Sequence, residues 1–217
     1  MGDHRQQNGY AAAFKTFLDS TDEKAVLLAR LSELLAQRQV VSLLDIGAGN
    51  GDLAIPLSAT VETYTAIEPH QEFAQHLRDS GLCVIESTFP CDVGKRFDAV
   101  LASHSLPSRA QEKGSWKPFV EAAWRCVNDR GHLLMITFED ENNAWSKLVE
   151  ATGIGGSTSE VRLPYLRSCI QGLGPLEEEA IMTHVRTRTV EDMARALAFV
   201  WSDGHPELYE QFLANQH

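Results

Sequence analysis

Apolar positions in "AAAFKTFLDS" (11–20) and "EKAVLLARLSELLAQ" (23–37) recur at three- and four-residue spacing, which predicts two N-terminal helices. Between them "STDE" (20–23) has the form of a capping box, in which Ser20 would bond the backbone of Glu23 and Glu23 that of Ser20. The pattern then changes. "VVSLLDI" (40–46) is β-branched and continuously apolar, as expected of a strand covered on both faces. Short runs of the same kind follow at 62–67, 82–86, 97–102 and 132–138, and helical segments fall roughly at 51–59, 70–79 and 115–128. Strands alternating with helices predict an α/β fold with a doubly wound, mainly parallel sheet, because parallel neighbours need crossover connections.

Beyond residue 140 the alternation lapses. Helical "NAWSKLVEAT" (143–152) leads into the connector "GIGGSTSE" (153–160) and a helix over about 162–173. Strand-like "AIMTHV" (180–185) is followed by helices near 190–201 and 206–214. No internal repeat or low-complexity segment interrupts the chain.

Composition narrows the classes of partner. A chain of 217 residues can hold one large domain with a good core. The formal net charge of −11, with no Lys/Arg cluster longer than a pair, argues against a surface built to neutralise phosphates, so no nucleic-acid partner is expected. The four cysteines (Cys83, Cys91, Cys126, Cys169) show no C-x-x-C spacing and fit a reducing compartment. "MGDHRQQNGY" lacks the apolar core of a signal peptide, and Gln6 breaks the myristoylation pattern. No apolar run approaches the length of a membrane span. These features predict a cytoplasmic protein with no membrane partner and no metal site; its oligomeric state is not legible.

Candidate chemistry centres on "LLDIGAGNGDL" (43–53), a strand-like run that opens into glycines at 47, 49 and 51. A strand, a G-x-G loop and a helix form the usual entry to a nucleotide-type site, since glycine allows unusual dihedrals and close approach of a ligand. The dinucleotide fingerprint needs a third glycine or an alanine where this chain has Asp52, and an acid there would repel a pyrophosphate. The run instead resembles motif I of the class I S-adenosylmethionine-dependent methyltransferases, whose cofactor carries a sulfonium and an ammonium and no phosphate.

That resemblance implies a second acid at the end of the next strand, accepting from both ribose hydroxyls. "YTAIEPH" supplies Glu68, seventeen residues after Gly51, with Pro69 ahead of the next helix. It further implies that Asp45 lies near the methionine amino end of the cofactor, with Gly47, Ala48, Gly49 and Gly51 forming the loop. Ser87, Thr88 and Phe89 fall in the adenine-contact zone, where an Asp is the more frequent residue.

After the fourth strand, "LASHSLPS" offers Ser103 and His104. The chain has neither the Asp/Asn-Pro-Pro-Tyr run of amino-methylating DNA enzymes nor the acidic pattern of metal-dependent catechol-type enzymes, so base flipping is not expected. Methyl transfer from a sulfonium is a direct displacement that asks mainly for alignment and a free lone pair on the acceptor. A histidine at this place either takes the acceptor's proton or merely holds the loop by hydrogen bonding.

A narrower likeness runs through "GYAAAFKTFLDSTDEKA" and "NAWSKLVEATG", which look like stretches of the histamine N-methyltransferases. It implies an N-terminal segment that closes over the acceptor, with Asp22 and Glu23 binding a substrate amine and Tyr10 as a lid aromatic; His104 stands where those enzymes have glutamine. A capping role for the acids remains open beside it. The aromatics Trp145, Tyr165, Trp201 and Tyr209 could line an acceptor pocket or pack a core. The last residues, "HPELYEQFLANQH", read as a polar helix where this fold usually ends in a strand pair, so the final strand is either missing or replaced by a helical cover.

The sequence thus predicts one methyltransferase domain over 1–217. It comprises a helical lid (1–38), a cofactor-binding core (39–140) and an acceptor-side cover (141–217). Its expected reaction is methyl transfer from S-adenosylmethionine to a small molecule, an amine nitrogen leading. The rivals are an O-methyltransferase acting on a hydroxyl or carboxylate, and a non-catalytic cofactor-binding module.

Overall fold

A computed structural model describes residues 15–107, 116–138 and 162–201 of the chain. The chain divides into two compact units. One comprises Lys24–Phe138 and Arg162–Ala180; the other comprises Met1–Glu23, Glu139–Val161 and Ile181–His217.

The larger unit holds a five-stranded sheet. Its strands are β1 (Ser42–Ile46), β2 (Thr63–Ile67), β3 (Cys83–Ile85), β4 (Phe97–Ser103) and β5 (Val127–Ile136), in the spatial order β3-β2-β1-β4-β5. Every neighbouring pair is parallel, from Leu43 opposite Tyr64 to Ser103 opposite Ile136. Named helices among the described residues are α1 (Glu23–Gln37), α2 (Ala54–Ser58), α3 (Gln71–Asp79), α4 (Trp116–Arg125), α5 (Arg162–Ile170) and, in the smaller unit, α6 (Val190–Trp201). This is the doubly wound parallel α/β architecture the alternation predicted.

Leu44, Ile46, Val100 and Ala102 share a core with Phe119, Val120 and Ala123 of α4 and with Leu166 and Cys169 of α5. Leu43 and Leu101, which alternate with them, are buried as completely, so the central strands are covered on both faces. α1 contributes Leu27, Leu31 and Leu35, a buried stripe at four-residue spacing.

Several expectations need correction. The helix placed over 115–128 ends at Arg125, and β5 begins at Val127, earlier than the expected 132. The cause is an irregularity in the β4–β5 ladder. Phe97 pairs with Val127 and Ala99 with His132, so β4 advances two residues while β5 advances five. Asp98 holds this place together. Its Oδ2 accepts from the amides of Val41 (3.2 Å) and Ser42 (2.9 Å) and from Ser42 Oγ (2.9 Å), and its Oδ1 accepts from Asn128 Nδ2 at 2.9 Å. Burial pushes the Asp98 carboxyl up, but the hydrogen bonds from Asn128 and Ser42 outweigh it and hold the group below its usual value.

The capping box does not form as expected. Ser20 Oγ donates back to the carbonyl of Thr16 (2.6 Å), and the amide of Glu23 donates to Thr21 Oγ1 at 3.1 Å. Thr21, one residue later, takes the role assigned to Ser20. The strand-like 180–185 run forms no named strand: it makes an isolated antiparallel bridge, Thr21 opposite Val185. Helices were expected over 11–20, 162–173 and 190–201; the chain is helical over 15–20, Arg162–Ile170 and Val190–Trp201. The expected helices at 143–152 and 206–214, and the connector between 153 and 160, lie outside the described residues. No described helix is long and apolar enough to cross a membrane.

Candidate cofactor site

In a doubly wound sheet, the crevice opens at the carboxyl ends of the two strands where the order reverses. Here those strands are β1 and β4, and the loops that follow them meet. A Cβ built on Gly47, which has φ +77°, would lie 2.7 Å from Ser105 Cβ, a distance no real pair tolerates. Glycine at 47 is what lets the two loops close on each other.

Gly49 answers a different need. It also has a left-handed φ, +60°, yet among the described residues no atom beyond its chain neighbours lies within 4 Å of where its Cβ would stand. The left-handed backbone, not packing against described residues, calls for glycine here, and it leaves the loop surface open to a ligand.

The loop is tied to the next strand. The amides of Gly47 (2.8 Å) and Ala48 (3.2 Å) donate to the carbonyl of Ile67, and Gly51 N donates to Ala48 O at 3.3 Å. Glu68, buried at the end of β2, accepts from Gly49 N through Oε2 and from His70 N through Oε1, each at 2.8 Å. Two amides thus fix the carboxylate, and each oxygen keeps a further lone-pair direction. A carboxylate so fixed, with two acceptor positions left, fits a vicinal diol of the kind the cofactor's ribose presents. Pro69 is exposed, and α3 begins two residues later at Gln71.

Asp45 lies in β1, 3% exposed, and accepts from the phenol of Tyr64 at 2.6 Å. Burial pushes its carboxyl up to about 6, with the charge of Glu68 adding, while the Tyr64 hydrogen bond and Lys24 pull it down. Burial likewise drives the Tyr64 phenol well above its usual range, so it stays a donor. Asp52 takes no cap position: its side chain and amide bond Asn50, at 2.8 and 3.3 Å.

At the end of β4, His104 has φ +53°, a left-handed conformation that costs a non-glycine residue roughly 1–3 kcal/mol. Its amide donates to Ile136 O at 3.0 Å, and its ring stacks on Phe138 with centroids 4.3 Å apart. The hydroxyl oxygens of Ser103 and Ser105 are buried and have no hydrogen-bond partner among the described residues. Ser87 is half-buried, Thr88 exposed, and Ser87 Oγ donates to Thr88 O at 3.3 Å.

The larger unit therefore brings together Asp45, Gly47, Ala48, Gly49, Gly51, Glu68 and the 103–105 loop. The acceptor-side candidates stand differently. Asp22 accepts from the amide of His184 (2.6 Å) and faces its Nδ1 at 3.0 Å, while its own amide donates to His184 O. The His184 amide is the main reason its carboxyl lies below the usual value. Glu23 is buried. Tyr10, Trp145 and Tyr209 lie outside the described residues, and Tyr165 packs at a tilt against Trp116. No group of three or more metal-ligating side chains occurs among the described residues. Sequence reading passed over Tyr64, Ser105 and Phe138. A serine two residues beyond Ser103 could have drawn notice to Ser105, but cross-strand register and ring stacking leave no signal in a single sequence.

A methyltransferase-domain family matches residues 11–198, most of the chain, and the protein belongs to it. Among solved structures, a sugar N-methyltransferase from Streptoalloteichus sp. shares 19% identity over 56% of this chain and 52% of its own, with a TM-score of 0.48. An amino pentose methyltransferase from Micromonospora echinaspora shares 20% over 62% and 58%, with a TM-score of 0.46. An N-methyltransferase from Bradyrhizobium japonicum shares 15% over 67% and 80%, with a TM-score of 0.48. The chain spans little more than half the length of the first two. A search of the curated proteins finds no match. The narrower likeness to the histamine N-methyltransferases is not shown by these comparisons.

Proposed function

We propose that the protein transfers the methyl group of S-adenosylmethionine to a small-molecule acceptor, and that the acceptor atom is an amine nitrogen. The observation that carries the reading is the junction of Gly49 and Glu68: an open, left-handed glycine backbone beside a buried carboxylate that two amides hold in place. Bound there, the cofactor supplies a methyl group activated by a sulfonium.

The chain's own residues would do the rest. Glu68 accepts from the ribose hydroxyls, and Gly47, Ala48, Gly49 and Gly51 keep the loop thin enough for close approach. Asp45 offers negative charge to the ammonium end, and Pro69, Ser87 and Thr88 border the adenosine. Ser103 borders the cofactor, and His104 faces the acceptor. A neutral amine already has a nucleophilic lone pair, so the site needs to orient it and to receive one proton afterwards, a task within the range of an imidazole. Tyr10, Asp22 and Glu23 stay acceptor-side candidates on the sequence resemblance alone, since the Asp22 carboxylate is already engaged by His184. A cytoplasmic location belongs to the same reading and is supported by four free cysteines.

The left-handed backbone that presents His104 also supports an O-methyltransferase, with His104 as the base that ionises a hydroxyl. Labelled methyl transfer assayed against panels of amines and hydroxy acids separates the two. Turnover of amines that survives His104→Asn supports nitrogen; turnover confined to hydroxy acids and abolished by that change supports oxygen. A protein that binds the cofactor and methylates neither panel would be a binding module.

A further inference from the structure

We propose that Phe138, stacked on His104, selects the methyl acceptor and favours one whose nitrogen is carried beside a flat aromatic ring; this rests on the methyltransferase reading above. The ladder of β4 and β5 runs to Ser103 opposite Ile136, and the His104 amide extends it by a further bond to Ile136 O. The two chains then end side by side at the carboxyl edge of the sheet, the edge that carries the glycine loop. His104 is held there in a left-handed backbone, and its ring lies on that of Phe138 with an interplanar angle of 27°.

Such an arrangement fixes the angle of the Phe138 ring. Phe138 is nonetheless 36% exposed, among the few large apolar side chains of the described residues left so open. A ring whose orientation is fixed but whose surface is not fully covered serves as a stacking platform, since aromatic pairs favour offset or edge-to-face contact at 4.5–7 Å. Two further observations point to a small ligand at this edge. The Ser103 and Ser105 hydroxyl oxygens, on either side of His104 in the chain, are buried without a partner among the described residues, a costly state for a polar group. Both residues are only half-buried, so a rotation about χ1 can turn each hydroxyl outward. An acceptor that joins a flat ring to a hydrogen-bonding nitrogen would satisfy both features.

The test uses two amines that differ in the flatness of the ring, benzylamine and cyclohexylmethylamine. Their dissociation constants are measured by ligand-observed NMR on the full chain saturated with S-adenosylhomocysteine. Wild type should prefer benzylamine about three- to tenfold. Phe138→Tyr should keep the preference, and Phe138→Leu should bring the ratio to about one with S-adenosylhomocysteine affinity unchanged. Should Phe138→Leu fail to fold, Phe138→Trp decides, because its larger ring face must raise the preference. No preference in wild type, a preference that survives Phe138→Leu, an unchanged one in Phe138→Trp, or no binding of either amine overturns the proposal. Failure of S-adenosylhomocysteine itself to bind is a different result: it removes the methyltransferase reading, and the acceptor proposal with it.

Discussion

Replacing Asp45 by Asn should stabilise the protein at neutral pH while weakening its hold on the cofactor. Asp45 is 3% exposed, and burial moves its carboxyl from 3.8 to about 6. A folded state that binds the proton more tightly than the unfolded chain loses stability as pH rises from about 4 to 6, and nothing further above that. About two pH units at 1.36 kcal/mol each set the cost of the ionised group at roughly 3 kcal/mol at pH 8, of which about half is already present at pH 5. Asn keeps an oxygen for the Tyr64 phenol and removes the charge. Urea denaturation of both proteins without cofactor should therefore show the variant's advantage growing by about 1.4 kcal/mol between pH 5 and pH 8. An advantage equal at the two pH values would refute a buried, titrating Asp45. Cofactor affinity should fall about tenfold or more, because a cationic ammonium loses its counter-charge; a destabilising charge kept for binding is the usual stability–function trade-off.

Gly47→Ala and Gly49→Ala should part company. The first drives a Cβ to 2.7 Å from Ser105 and should cost roughly 2–4 kcal/mol in denaturation, from backbone strain and overpacking together. The second meets no neighbour among the described residues, so it should cost only about 1 kcal/mol of backbone strain while cofactor affinity falls far more than stability. Asp98→Ala removes an acceptor shared by Val41, Ser42 and Asn128 and should cost about 1–3 kcal/mol, discounted for its partial exposure. Because the folded Asp98 carboxyl lies below its usual value, that contribution is present above about pH 4 and vanishes as acid protonates the group in the folded state, which a pH series of melts would reveal.

What could be read from sequence was what repeats locally. The continuous apolar run at 40–46 foretold a strand buried on both faces, and the glycines with Glu68 foretold the loop and the carboxylate that the structure joins at 2.8 Å. The misreadings arose where distant residues decide. Nothing near residue 128 announces that Asp98, thirty residues earlier, accepts from the Asn128 amide and so draws the chain into β5. The Ser20 cap failed because its hydroxyl satisfied the preceding turn first, at Thr16. The sequence offered Asp22 a substrate amine or a cap, and gave no sign that His184, 162 residues away, meets both its oxygens. Tyr64 reaches Asp45 because β1 and β2 pair with Leu43 opposite Tyr64, a register the sequence does not print.

S-adenosylmethionine should bind where Glu68 meets the Gly49 loop. Isothermal titration of S-adenosylhomocysteine into wild type and Glu68→Ala tests it most directly. One site on wild type, with affinity at least tenfold weaker in a variant that keeps its thermal transition, is the predicted result, since two ribose hydroxyls lose a charged acceptor. Equal affinity in the two proteins, or no heat of binding in wild type, would contradict it.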